Sequence, residues 1–212
     1  MPPAVDTYQL GPIGTNGYVV RAERGAVEAV VIDPGEDAAS LRLELARAGA
    51  RCAAILLTHT HWDHIGAVAD LAEGTSAPVY VSPDAVGALE SPLAAPGVAI
   101  RPYEGARRIS GGDPLEAAGM AFEVLDVPGH APGHLSFYTD GALFSGDVLF
   151  AGGVGRVDLP GGDWETLLDS IRRLAERYPP DTVVYSGHGP ATTLGAELER
   201  NPFLAELRAA KQ

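Results

Sequence analysis

Cysteine is nearly absent: Cys52 stands alone in 212 residues, so no internal disulfide can form and a reducing, cytoplasmic setting is expected. Lysine is scarcer than any other charge, with Lys211 the single example, and 28 acidic residues against 15 basic ones leave a net charge of −13. That balance argues against a nucleic-acid partner, which calls for a basic face toward phosphates. It leaves a small-molecule substrate open, because a bound cation can reverse the field inside a pocket. No apolar run approaches the roughly 20 residues that cross a bilayer, and the first 20 residues lack the basic and apolar regions of a secretory signal. No membrane partner is expected.

Repeats, low-complexity blocks and Ser/Gly linkers are also missing. Hydrophobic residues make up 46% and charged residues 20% of the chain, a globular composition whose length suits one domain over 1–212. Short β-rich runs dominate: residues 17–22 and 28–33, joined by a Gly-containing turn, then 52–58, 77–82, 120–127, 135–140 and 142–147. The run at 52–58 is continuously apolar, as a strand buried on both faces requires. Asp140-Gly141 is a hairpin signal. Helical spacing marks 38–49, ended by Gly49, then 65–74 and 163–178, with Asp163 as N-cap and Pro179 as stop. The C-terminal segment reads as helical in two pieces split by Pro202, and the stretch to about residue 105 carries no clear pattern. Helices interspersed with hairpins fit an α+β fold of two packed sheets with helices outside, αββα, better than a doubly wound parallel sheet.

Histidine is what the chain concentrates. Three of its six histidines lie in "THTHWDH", residues 58–64, with Asp63 among them. His59 and His61, two apart, come to one side of an extended chain. Asp63 and His64, as neighbours, point apart, which favours two ions over four ligands closing on one. A curled loop would still let His61 and Asp63 share an ion. The remaining histidines, His130 and His134 in "VPGHAPGH" and His188 in "YSGHGP", sit in Gly/Pro-rich loops beside predicted strands, where convergent ligands lie. Asp147 in "LFSGDVLF" is an acid among apolar residues, costly unless paired or bound to a cation. Imidazole and carboxylate without thiolate suit Zn, Fe or Mn and not a structural zinc knot. Cys52 reads as a small core residue.

"THTHWDH", "PGH", "GD" and "GHG", in that order, resemble the metallo-β-lactamase superfamily. "VIDPG", "VPGHAPGHLSFY", "LFSGDVLFAGGVGRVDLPGGD" and "YSGHGP" are similar to its glyoxalase II-like hydrolases. The likeness spans residues 7 to 200 and implies the four-layer αββα sandwich. It implies two metal positions: His59, His61 and His130 for one ion, Asp63, His64 and His188 for the other. Asp147 would bridge them, so that Asp63 and Asp147 belong to the catalytic group. His134 and Asp33 are implied as residues that support the ligands, since a ligating histidine needs an acceptor for its other N–H. Arg156 is the expected substrate contact.

The cofactors implied are two divalent ions, zinc first, with iron or manganese as alternatives. The implied reaction is hydrolysis of a thioester, such as an S-2-hydroxyacylglutathione, by a water shared between the ions. Ser145 lies outside a nucleophile-elbow setting. About 22 residues follow the last metal loop, too few for the helical domain with which longer relatives hold glutathione, so the thiol carrier stays open. The chief alternative is a one-iron persulfide dioxygenase of the same superfamily; a non-catalytic metal-binding or redox partner domain is a further one. Trp62, oligomeric state and the packing of Phe203 and Leu204 receive no assignment from the sequence.

Overall fold

A computed structural model of the chain describes residues 1–93 and 98–209. Within β3 (Glu28–Ile32), alternation sends Val31 to one side and Val30 and Ile32 to the other. The same division runs through β1 (Ala4–Leu10), β2 (Thr15–Arg21), β4 (Arg51–Leu56), β5 (Val79–Val81) and β6 (Arg107–Arg108), which form one sheet in that order around β3. Strands β1 to β3 are antiparallel, whereas β3 to β6 run parallel. Parallel neighbours need crossovers, and helices supply two of them: α1 (Ala38–Arg47) between β3 and β4, then α2 (Trp62–Ile65) and α3 (Val68–Thr75) between β4 and β5. α4 (Val86–Glu90) follows β5.

The second sheet has β7 (Pro114–Ala117), β8 (Met120–Asp126), β9 (Leu135–Thr139), β10 (Ala142–Gly146), β13 (Val183–Ser186) and β14 (Thr192–Thr193), ordered β14-β13-β10-β9-β8-β7. The β9–β10 hairpin turns at Asp140 and Gly141 with φ of 41° and 86°, both positive as a type I′ turn demands. A short ribbon, β11 (Leu149–Phe150) with β12 (Gly153–Val154), leads to α5 (Trp164–Arg177). Asp163 caps α5 by accepting from the Thr166 N–H at 2.8 Å.

Three apolar clusters separate four layers. Leu41, Leu45, Val68 and Leu71 pack under the first sheet; Val20, Ile32, Leu56, Phe122, Phe137 and Phe144 fill the space between sheets; Leu143 and Val184 meet Leu167, Ile171 and Leu174 of α5. The αββα expectation therefore holds. Cys52 is buried in the first cluster, its thiol pushed up to about 11 by desolvation.

The structure departs from the sequence reading locally. The region expected to be a ligand loop contains a helical turn, α2, and the helix expected from residue 65 begins at Val68. Ala67 N–H bonds to the Gly35 carbonyl at 2.6 Å, and a Cβ at Gly66 would lie 3.1 Å from that same oxygen, so the chain is drawn to the 31–35 loop there. β1, β7, the β11–β12 ribbon and β14 carried no strong sequence pattern. The C-terminal split falls as expected: α6 (Leu194–Arg200), a 3₁₀ turn (Pro202–Leu204) and α7 (Ala205–Ala209). Leu204 is fully buried in the third cluster and Phe203 is exposed; the last residues of that expected helix, 210–212, lie outside the described ones. Among the described residues no helix is long and apolar enough to cross a membrane.

Candidate metal centre

Strands β3 and β4 run parallel, as do β10 and β13, and β8 shares the direction of β10 across the intervening antiparallel β9. Their C-terminal ends deliver Asp33, the 58–64 segment, the 127–134 loop, Asp147 and His188 to one edge of the sandwich. Backbone hydrogen bonds join the sheets at this edge, Leu135 N–H to the Thr58 carbonyl at 2.7 Å and Asn16 N–H to the Gly187 carbonyl at 2.7 Å. At the end of β10 the register shifts between Phe144 and Gly146, and Gly146 has φ of 50°. A Cβ at Gly146 would lie 2.4 Å from Thr58 Oγ1, so only glycine lets β10 turn here and present Asp147.

Two donor triads result. His59, His61 and His130 offer one atom each within 4.8 Å of one another, as do Asp63, His64 and His188. Asp147 stands between them: Oδ1 is 3.4 Å from His64 Nε2, while Oδ2 is 3.5 Å from His188 Nε2 and 3.7 Å from His130 Nε2. His59 Nε2, His64 Nε2 and Asp147 Oδ1 are buried without any hydrogen-bond partner. Such orphans are costly, and a cation at each triad, with Asp147 between them, would satisfy all three. Asp33, His59 and His64 form a third close group, but the Asp33 oxygens are already engaged.

Those engagements fix the rings. Asp33 accepts from the Thr58 N–H at 2.8 Å and its hydroxyl at 2.6 Å, and faces His64 Nδ1 at 2.9 Å. Thr58 Oγ1 lies 3.1 Å from His59 Nδ1, and His130 Nδ1 donates to the Arg156 carbonyl at 2.8 Å. Each of these rings thus keeps Nε2 for the centre. His134 is fully buried; its Nδ1 donates to the Leu135 carbonyl and its Nε2 accepts the Asp147 backbone N–H at 3.2 Å. It stacks on His59, ring centroids 4.7 Å apart. With both nitrogens engaged it holds Asp147 and His59 in place, and His134→Ala is expected to keep its metal while losing activity about 10- to 100-fold. Loss of a whole metal equivalent, measured by elemental analysis, would instead make His134 a ligand.

Protonation suits a cation. Burial drives the His59 and His134 imidazoles well below the ordinary value, His61 to about 4, and His130 downward. Burial opposes ionisation of Asp147 and Asp63, yet the facing histidines win, holding Asp147 well below the carboxylate range and Asp63 at about 2. His64 moves the other way, well above its usual value, because Asp147 and Asp33 outweigh its burial. Asp147 and Asp63 lift His188 to about 9. A metal must displace these last protons. Its apparent affinity is therefore expected to strengthen as pH rises, by up to about tenfold per pH unit for the His188 proton until about 9, with displacement of the His64 proton steepening the rise. Chelator competition across that range reads the slope; a flat profile would contradict it.

The centre floors a cavity of about 450 Å³ walled by Ile13, Trp62, Phe150, Val154, Arg156 and Leu159. Arg156 stands on this wall, but its guanidinium grips both Asp158 oxygens at 2.7 Å, and it touches the centre through its carbonyl. Ser145 turns away, donating to the Leu149 carbonyl. One contributor gave no sequence signal: Thr15, from the β1–β2 hairpin, donates to Asp63 Oδ2 at 2.6 Å.

An αββα sandwich with histidine and aspartate donors converging between its sheets defines a class of metal-dependent hydrolase folds. The chain belongs to the metallo-beta-lactamase superfamily, whose family model matches residues 10–188. It is 37% identical over 202 residues to the probable metallo-hydrolase YqgX of Bacillus subtilis, covering 92% of this chain and 94% of that one. It is 37% identical over 188 residues to the hydroxyacylglutathione hydrolase GloC of Haemophilus influenzae, covering 83% and 87%. Among solved structures, BLEG-1 B3 metallo-beta-lactamase superposes with a TM-score of 0.89 at 41% identity, covering 95% of this chain and all of that one. TTHA1623 in a di-iron-bound form gives 0.82 at 43% identity, covering 96% and all of that chain.

Proposed function

We propose that the protein is a dinuclear metallohydrolase that cleaves thioesters. In this reading His59, His61 and His130 hold one divalent ion, Asp63, His64 and His188 the second, and Asp147 serves both. The observation that carries it is the pair of triads around one carboxylate, with three buried donor atoms left unpartnered. Zinc is the ion proposed first, and iron and manganese fit the same donors; TTHA1623 holds two irons.

When bound, such ions supply Lewis acidity toward a water and a carbonyl oxygen. The chain's residues do the rest. Thr15 and Asp33 orient Asp63 and His64, and His134 steadies Asp147. Water adds to the acyl carbon, the C–S bond breaks with its electron pair on sulfur, and the products are a carboxylate, a thiol and one proton released to solvent. With His64 and His188 taken up as ligands, Asp63 at about 2 and His61 at about 4 keep no proton to give at neutral pH. A thiol of pKa near 8.5 leaves without one, whereas an amine does not. That favours a thioester, and the relative named a hydroxyacylglutathione hydrolase supports it.

The likeness to BLEG-1 gives β-lactam hydrolysis as the second reading. Metal content per chain, on protein purified without added metal, separates the possibilities together with assays on S-lactoylglutathione, a neutral acyl thioester, a β-lactam, and O₂ uptake with glutathione persulfide. Two ions and thiol release are expected. One iron with O₂ uptake would overturn the hydrolase in favour of a persulfide dioxygenase, and β-lactam turnover above thioester turnover would install the second reading.

A further inference from the structure

A second cavity, of about 320 Å³, lies against the first and shares His61, Trp62 and Leu159 with it. Its other walls are apolar and mostly small, among them Ala85, Ala88, Ala131 and Pro132. Ala85 and Ala131 are buried, whereas Ala88 lies exposed at the rim. No lysine or arginine lines it among the described residues, and its one charged side chain is Asp84. Among the described residues the one arginine lining the joined space is Arg156, on the far wall and tied to Asp158.

We infer that this second cavity receives an uncharged, apolar arm of the substrate, a short alkyl or aryl group. Trp62, which has no donor role in the ligand motif, forms the wall between that arm and the metal donors. Three observations converge. The cavity adjoins the centre, with His61, Trp62 and Leu159 common to both linings. Its surface offers contact and no hydrogen-bonding charge to a carboxylate. Asp84 on its wall disfavours an anionic arm such as that of glutathione within this cavity, and no lysine or arginine among its described lining residues offsets that charge. The apolar arm gains by leaving water, on the scale of about fourfold for each fully buried methylene. The substrate class that follows is a neutral thioester with an apolar acyl or thiol portion. The kinetic part of this inference rests on the thioesterase reading; the binding part does not.

Two measurements test it on the full chain. The first titrates alkan-1-ols, propanol to hexanol, into Trp164→Phe protein, in which Trp62 is the remaining tryptophan, and follows its emission. Affinity is expected to rise about two- to fourfold per methylene, and Ala88→Phe, a change at an exposed position, is expected to flatten that rise. The second compares kcat/KM for acetyl, butyryl and hexanoyl thioesters of N-acetylcysteamine with S-lactoylglutathione. The hexanoyl-to-acetyl ratio should exceed tenfold, shrink in Ala88→Phe, and the glutathione thioester should gain relative to the others in Ala88→Lys. No chain-length dependence in either measurement, or the same dependence in Ala88→Phe, would overturn the apolar subsite. If no thioester turns over while alcohol binding lengthens with the chain, the cavity assignment stands and the thioesterase reading falls.

Discussion

Asp147→Ala is expected to strip divalent metal from the protein and to lower thioester turnover by about two to four orders of magnitude. Its carboxylate faces both triads, at 3.4 Å from His64 and 3.5 Å from His188 in one and 3.7 Å from His130 in the other. With Asp33, it is also the charge that keeps His64 above its usual value against full burial. Removing one partner from a buried ionic group costs about 3–5 kcal/mol, which at 1.4 kcal/mol per decade corresponds to the range stated. Asp147→Asn keeps the shape and removes the charge. If it behaves like Asp147→Ala, charge and coordination decide the effect; if it behaves like wild type, packing does. The fold should survive, because the Asp147 N–H still reaches His134 and the strand register is made by backbone. Full metal retention with normal turnover in Asp147→Ala would remove Asp147 from the centre.

The residues that converge were legible because the fold places each at the C-terminal end of a strand, and strand ends are visible as apolar runs that stop at Gly, Pro or Asp. "CAAILLT" before His59 and "ALFSG" before Asp147 are of this kind. The supporting contacts were less legible. Asp33 stood out by its place in "VIDPG", but its left-handed φ of 49° and its hold on Thr58 and His64 belong to tertiary structure. Thr15 is 48 positions from Asp63, and nothing in "GTNGYVV" announces that contact. The α2 turn was hidden for a different reason. Four residues are too few for a period of 3.6 to show, so the motif read as extended chain although Asp63 and His64 sit on one helical turn. The two-ion reading held a geometric argument that the structure replaces. Adjacent residues diverge by about 100° on a helix instead of 180° on a strand, which is how Asp63 and His64 can face the same triad.

Gly187→Ala is expected to resemble Asp147→Ala in loss of metal and of turnover, at least about 100-fold, without touching a ligand. A Cβ at this position would lie 2.0 Å from Asp147 Oδ1 and 2.6 Å from His64 Cε1, more than an ångström inside normal contact distance. Gly187 cannot retreat. Its carbonyl accepts from the Asn16 N–H at 2.7 Å and its own N–H donates to the Gly146 carbonyl at 2.9 Å, so both sheets hold it. The side chain that yields is Asp147, which has no hydrogen-bond partner on Oδ1 to keep it in place. Gly189→Ala supplies the contrast. Gly189 has φ of 78° and nothing within 4 Å of an added Cβ, so alanine there brings backbone strain of about 1 kcal/mol and no clash with a donor. Gly189→Ala should therefore lose a few degrees of Tm and retain its metal, whereas Gly187→Ala should lose metal. Elemental analysis and thermal melts of both variants decide it. Equal metal content in the two would show that the 186–189 loop moves as a whole and that Asp147 is not wedged against Gly187.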